Sequence, residues 1–269
     1  MKKILVIIAT VAMLAMSIFA GDDAAQKVNA YYYAAYADTS VVASKLKGAG
    51  FDVIATYSPT QNSETLVITN SALKAATSKP GRGFAAVLRV LVDKENKRVA
   101  VTNPVYFGKA FLQDDYSDTA AQNLTEALKG ALGTLTPSPD AYEADGLSGY
   151  HFMVAMPYYE DTYDLAEGKN EALAAKIEAH TVLFKLPLGE GRTLYGYDLS
   201  KETNGFVEKI GTQNAEILPY MVLIEDGKAK ALHAKYYIAI SYPLLTMGEF
   251  MTIVTTPGEI EKELKSAFK

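Results

Sequence analysis

The sequence predicts an α+β fold made twice: two tandem copies of a small, mostly antiparallel sheet with helices on one face, packed as an internal pseudo-dimer. Three observations predict it. The pattern over residues 31–132 recurs over 150–268, most clearly between Thr65–Phe107 ("TLVITNSAL…AAVLRVLVDKENKRVAVTNPVYF") and Thr193–Ile238 ("TLYGYDLSK…LPYMVLIEDGKAKALHAKYYI"). Short apolar runs, several alternating with polar residues, are separated by turn residues, as antiparallel strands require. Each copy closes on an amphipathic helix whose apolar residues fall four apart: Leu124, Leu128 and Leu132, then Ile260, Leu264 and Phe268.

The elements follow in order. Tyr31-Tyr32-Tyr33-Ala34-Ala35-Tyr36 has the aromatic richness of a strand. Asp38-Thr39-Ser40 caps a helix carrying Val41, Val42 and Leu46, stopped by Gly48 and Gly50. Phe51–Tyr57 alternates as a strand, Ser58–Asn62 turns, and Thr65–Thr69 returns. Ser71–Ser78 reads as a short helix ended by Lys79-Pro80-Gly81. Ala85–Val92 and Arg98–Thr102 form a hairpin across Asp93–Lys97, and Asn103-Pro104 breaks the chain before Val105-Tyr106-Phe107. Asp118 is expected to cap the helix that ends at Gly133. Thr134–Gly149, rich in Pro, Asp and Gly, reads as the linker. The second copy is expected to open with the strand Tyr150–Val154, echoing Tyr31-Tyr32-Tyr33. Glu171–Glu178 is helical, and Val182–Lys185 pairs with Thr193–Tyr197 across Gly189-Glu190-Gly191. Tyr220–Ile224 and Lys230–Ala234 form a hairpin across Asp226-Gly227, and Thr256-Pro257 starts the last helix. The resulting boundaries are residues 28–133, a linker over 134–149, and 150–269.

At 269 residues the chain is long enough for two cores, and 49% hydrophobic with 21% charged residues is a globular composition. The net charge of −5 and the lack of a Lys/Arg cluster argue against nucleic acid. No cysteine occurs, which excludes disulfides, thiol catalysis and Fe–S clusters. Lys2-Lys3, an apolar run over Ile4–Met16 and Ser17-Ile18-Phe19-Ala20 before Gly21 form a bacterial-type secretory signal over residues 1–20. The run is too short to span a bilayer, and no other segment is long and apolar enough. The expectation is a periplasmic or secreted protein with no membrane span after cleavage.

"SKLKGAGFDVIATYS", "TLVITN" and "AAVLRVLVDKENKRVAVTNP" run in the order of a helix ending in Gly-Phe, a strand, a second strand and a Val-rich hairpin. In this the first copy resembles the DUF302 family of small bacterial α+β domains. Asn70 stands where the family has Asn, but Ser71 replaces its Pro, and in the second copy Asp198-Leu199 replace Asn-Pro. The resemblance implies the fold, covers about two-thirds of each copy, and implies no activity.

Of the three histidines, His151, His180 and His233, none belongs to a His-x-x-x-His or Cys-containing metal spacing, so no metal and no cofactor is expected. Structural or solvent-facing roles suit them best. The clusters Asp114-Asp115…Asp118 and Glu160-Asp161…Asp164 lack the calcium-loop pattern and read as caps and solvated loops. Gly81-Arg82-Gly83 and Gly189-Glu190-Gly191 lack the phosphate-loop ending, and no Gly-x-Ser-x-Gly elbow is present.

Tyrosine is abundant at 18 residues. Tyr31 and Tyr33 share a strand face, and Tyr106 and Tyr237 occupy equivalent places in the two copies by sequence alignment. Such rings suit packing at the seam between copies, and they also suit a ligand cleft or an interface. The expected function is therefore a non-catalytic module binding a small molecule or a protein. Its site would be a cleft between copies lined by Tyr31, Tyr33, Tyr106, His151, His233 and Tyr237. Two alternatives stand beside it: an enzyme with an asymmetric site in the second copy, where His151 or His233 would meet Glu160, Asp161 or Asp164, and a structural partner in an envelope assembly showing an exposed apolar patch. The molecule is expected as a pseudo-symmetric monomer or a weak homodimer.

Overall fold

The structure, a computed structural model, describes residues 26–269. The signal segment expected over residues 1–20 lies outside the described residues. The chain is α+β, as the periodicities require. Its elements are β1 (Lys27–Asn29), β2 (Tyr31–Ala35), α1 (Thr39–Gly48), β3 (Asp52–Thr60), β4 (Ser63–Thr69), α2 (Ser71–Ala76), β5 (Leu88–Asp93), β6 (Arg98–Thr102), α3 (Pro104–Leu112) and α4 (Asp118–Leu132). The short strands β7 (Thr136–Pro137) and β8 (Ala141–Glu143) follow. Then come β9 (Tyr163–Glu167), α5 (Asn170–Glu178), β10 (Val182–Gly189), β11 (Arg192–Tyr197), α6 (Lys201–Asn204), α7 (Phe206–Ile210), β12 (Tyr220–Glu225), β13 (Lys228–Ala231), α8 (Ala234–Ser241), α9 (Met247–Thr252) and α10 (Thr256–Ser266).

Two large antiparallel sheets, β3-β4-β5-β6-β2-β7 and β10-β11-β12-β13-β9, form beside the two-stranded β1-β8. Apart from β7, strand order and connectivity are the same in both. The matching opening strand of the second half is Tyr163–Glu167, not Tyr150–Val154, which has no regular structure. The expected linker is not free either: Thr136-Pro137 adds to the edge of the first sheet, and β8 pairs with β1. Val105-Tyr106-Phe107, expected to follow a chain break, lies in α3. Asn103 caps this helix through its side chain, with Pro104 at its first turn, a start signal rather than a breaker.

Other boundaries follow from local chemistry. Ser117, rather than Asp118, caps α4 by accepting from the Ala120 amide. The β12–β13 turn holds Asp226 at φ 49° and Gly227 at φ 75°, the pair of positive angles that a tight hairpin turn needs.

Alternation along the strands gives the first sheet two buried faces. Leu66, Ile68, Val90, Val92, Val99 and Val101 pack with Val42 and Leu46 of α1 and with Leu124 and Leu128 of α4. The opposite face, with Tyr31, Val67, Leu91 and Ala100, enters a larger core that also contains the second half's Leu173, Leu194, Val222, Ile260 and Leu264. The 3-10 turn Gly83–Ala86 packs on β11 and β12, while the 3-10 turn Thr212–Ile217 packs on β3 to β6. Each half thus inserts the turn preceding the fourth strand of its sheet in chain order, β5 or β12, under the other half's sheet. Gly83 is needed for this approach, because a Cβ there would lie 2.5 Å from Leu223 Cδ1.

Candidate functional site

The structure brings Tyr31, Tyr106 and Tyr237 to the seam between the halves, and buries them. Each is 0–1% exposed. The Tyr31 hydroxyl donates to the Ser241 carbonyl at 2.7 Å, Tyr106 to Ile240 at 3.0 Å and Tyr237 to Ile217 at 3.1 Å. Their polar tips are spent on backbone carbonyls, and burial raises all three phenol pKa values. These rings pack the seam; they do not open a cleft. Tyr33 is half-buried, with the Arg98 guanidinium 4.1 Å above its ring. The helix starts correct the register of the repeat. Asn103 and His233 are the corresponding caps, so Tyr106 matches Tyr236 rather than Tyr237. The pairing is reciprocal: Tyr106 donates to Ile240, and Tyr236 donates to Ala110 at 3.4 Å.

The histidines sit elsewhere, and neither expected strand position holds. His233 caps α8, its Nδ1 accepting from the Lys235 amide, and its ring lies 4.3 Å from Tyr163. Burial holds its pKa below the ordinary value, so it is neutral near pH 7. His151 lies in an irregular segment, with its ring 4.6 Å from Tyr158. Among the described residues neither hydrogen-bonds Glu160, Asp161 or Asp164, and no group of three or more His, Asp and Glu could hold a metal ion. Asp161 accepts from the Tyr158 amide, and Asp164 pairs with Lys228.

The open space lies within the first half. A pocket of about 350 Å³ opens between α2, α3, the start of β5 and α4. Its wall combines small residues (Ala72, Ala75, Ala76, Ala85, Gly108, Ala120, Ala121) with Leu73, Val87, Leu88, Phe107, Phe111 and Leu124. Polar lining is confined to Asp115, Tyr116 and Ser117, the consecutive residues that lead into α4. Asp115 is paired with both Lys79 and Arg82, and the Lys79 hydrogen bond holds its carboxyl below the usual carboxylate range. The Tyr116 hydroxyl donates to Asp118 at 2.9 Å, and the Lys109 ammonium sits 4.8 Å above the Tyr116 ring.

The second half braces the loop that follows α2. Arg192, 4% exposed, donates to the carbonyls of Thr77, Ser78 and Lys79 at 2.6–2.9 Å, where α2 ends. Glu225 accepts from the Gly81 amide, and Tyr159 donates to the Gly81 carbonyl. The second half itself differs at the corresponding places. Where the first half has only a loop after α2 and a short 3-10 turn between α3 and α4, it has α7 and α9, which bury Phe206, Val207, Ile210 and Phe250.

A second depression of about 810 Å³ runs between the halves, lined by Tyr57–Gln61 and by Thr181, Asp198–Lys201, Asn204, Gly205 and Glu208. It is more polar, and Asn204 donates across it to the Tyr57 hydroxyl at 2.6 Å. Sequence reasoning missed the apolar pocket because no reactive residue marks it. Its signal is the run of Ala and Gly on facing segments, which leaves room where larger side chains would close the gap. Comparison with protein-family models, with curated proteins and with solved structures gives no match.

Proposed function

We propose that this chain is a non-catalytic binding protein, exported by the signal over residues 1–20, which holds a small apolar ligand between α2, α3 and α4. The pocket is the observation that carries the reading. Protein interiors are close-packed, with few voids larger than a water molecule. Vacant apolar space lowers stability by about 24 cal/mol per Å³ where it is enclosed. An apolar cavity of about 150 Å³ is already enough to bind benzene, and this one is about 350 Å³. A wall of alkyl and aromatic groups with few polar atoms suits binding by shape, and holds no nucleophile–base pair for catalysis.

The matching sheets and the reciprocal Tyr106 and Tyr236 bonds support a duplicated domain packed as a pseudo-dimer, and the ground for a DUF302-like origin is the sequence resemblance of the first copy. On this reading the first copy keeps the ligand space, and the second fills it with α7 and α9 and braces the pocket through Arg192. The test is a fluorescence titration with phenylnaphthylamine, a neutral apolar dye. Wild-type protein binds one dye per chain, and Ala121→Leu, which fills the pocket, removes binding while leaving the circular dichroism spectrum unchanged. Equal dye binding by Ala121→Leu refutes the reading.

One observation favours a protein-interaction role as well. Leu244, Met247, Met251 and Val254 are 41–57% exposed around α9. This second reading expects concentration-dependent self-association in analytical ultracentrifugation, abolished by Met251→Lys. A monomer at every concentration removes it.

A further inference from the structure

We propose that the pocket takes the tail of a free single-chain carboxylate amphiphile, a medium-chain acyl anion, with its head group at the mouth beside Lys79 and Arg82. The inference rests on the binding reading above and names the ligand class.

Shape argues for a chain. Ser117 is exposed at one end of the pocket and Leu124 is buried at the other. At 1.5 Å per residue the α4 wall between them is about 10 Å long. The α3 wall, from Pro104 to Leu112, is of similar length. The apolar lining thus extends about 10 Å along α4, with α3, α2 and the start of β5 as its other walls. Its polar lining gathers where α4 begins, the arrangement for a ligand with one polar end.

Charge argues for an anion. Asp115 is a single carboxylate shared by two cations, Lys79 and Arg82. Lys109, above the Tyr116 ring, and Asp118, which accepts from the Tyr116 hydroxyl, do not line the pocket. Asp114 is exposed and does not line the pocket. Asp115 is the one charged residue of the lining, and two cations share it, which leaves one positive charge for a head group. The Lys79 side chain is 69% exposed. An exposed pair of this kind is worth about 0–1 kcal/mol, so Lys79 exchanges Asp115 for a ligand carboxylate at little cost. Charge-assisted hydrogen bonds are roughly twice as strong as neutral ones. An alcohol of equal chain length therefore gains less, and a quaternary ammonium meets the surplus cation.

The test is displacement of phenylnaphthylamine from the full chain by decanoate, decanol and decyltrimethylammonium. Decanoate is expected to displace the dye at a concentration roughly tenfold below decanol, and decyltrimethylammonium least well. Lys79→Ala and Arg82→Gln should narrow the gap between decanoate and decanol and leave decanol unchanged. Equal potency of decanoate and decanol in the wild type, or a lead for the ammonium, overturns the anionic head group while the pocket reading stands. Failure of the wild type to bind the dye, or full dye binding by Ala121→Leu, removes the pocket and this inference together.

Discussion

Glu216 is the residue with the most to say about stability. It is fully buried in the turn that enters under the first sheet, and neither carboxyl oxygen has a hydrogen-bond partner among the described residues. Burial raises its pKa to about 8, with Asp140 adding to the rise, while Arg98 and Arg89 oppose it. The folded state therefore keeps a proton that the unfolded chain releases once pH exceeds about 4.5. A raised carboxyl pKa gives stability that is fully present below the unfolded value and lost as pH climbs to the folded value, near 8. The loss is on the order of a few kcal/mol. Glu216→Gln should flatten this slope in urea unfolding at the two ends of the window, and be the more stable form at the alkaline end. An unchanged slope refutes the assignment. The seam tyrosines give a second residue-scale prediction. Tyr106→Phe leaves the Ile240 carbonyl without its donor and should cost about 1–3 kcal/mol in the same assay, with no effect on dye binding. That tyrosines gather at the seam was legible from their placement along the repeat. That each phenol spends its hydroxyl on a carbonyl, most of them in the other half, was not, because no sequence pattern encodes a contact spanning 134 or 210 positions.

At the scale of elements, the short helix α2 depends on the other half of the molecule. It has six residues, too few to be stable alone, and the carbonyls of its C-cap Thr77 and of the following Ser78 and Lys79 are received by Arg192. Arg192→Met would orphan the buried Thr77 carbonyl and release its two neighbours, a loss of about 3 kcal/mol. Because α2 is one wall of the pocket, the same variant should weaken dye binding although it touches no lining atom. Equilibrium unfolding and the dye titration check both parts, and unchanged dye affinity contradicts the bracing role. Elements with strong local signals were readable: the Asp226-Gly227 hairpin and the leucine face of α4 follow from turn geometry and helical spacing. Tyr150–Val154 misled because aromatic and branched residues favour strands only where a neighbouring strand is available to pair, and here β13 pairs with Tyr163–Glu167 instead. The corresponding error at Asn103-Pro104 came from treating proline as a terminator, when at the first turn of a helix its fixed φ is an asset.

The larger of the molecule's two cores crosses the midline. Tyr31, Val67, Leu91 and Ala100 of the first sheet belong to the same buried cluster as most of the second half's core. Residues 26–133 expressed alone should therefore expose an apolar sheet face and give no cooperative thermal transition, whereas the full chain gives one. Two separate transitions in the full chain would contradict the shared core. Architecture was legible at this scale because the hydrophobic pattern of the first half recurs in the second. The pocket was not, because it arises from what the first half lacks, the side chains that α7 and α9 supply in the second. No helix among the described residues is long and apolar enough to cross a membrane, so the apolar surface to be explained is the pocket and the patch around α9. The most direct measurement is native mass spectrometry of the full chain purified from the cells that produce it, beside Ala121→Leu prepared identically. The account predicts one small organic molecule bound per wild-type chain, released on collisional activation, and absent from the variant. A wild-type spectrum of bare protein, or the same adduct on both proteins, would contradict it.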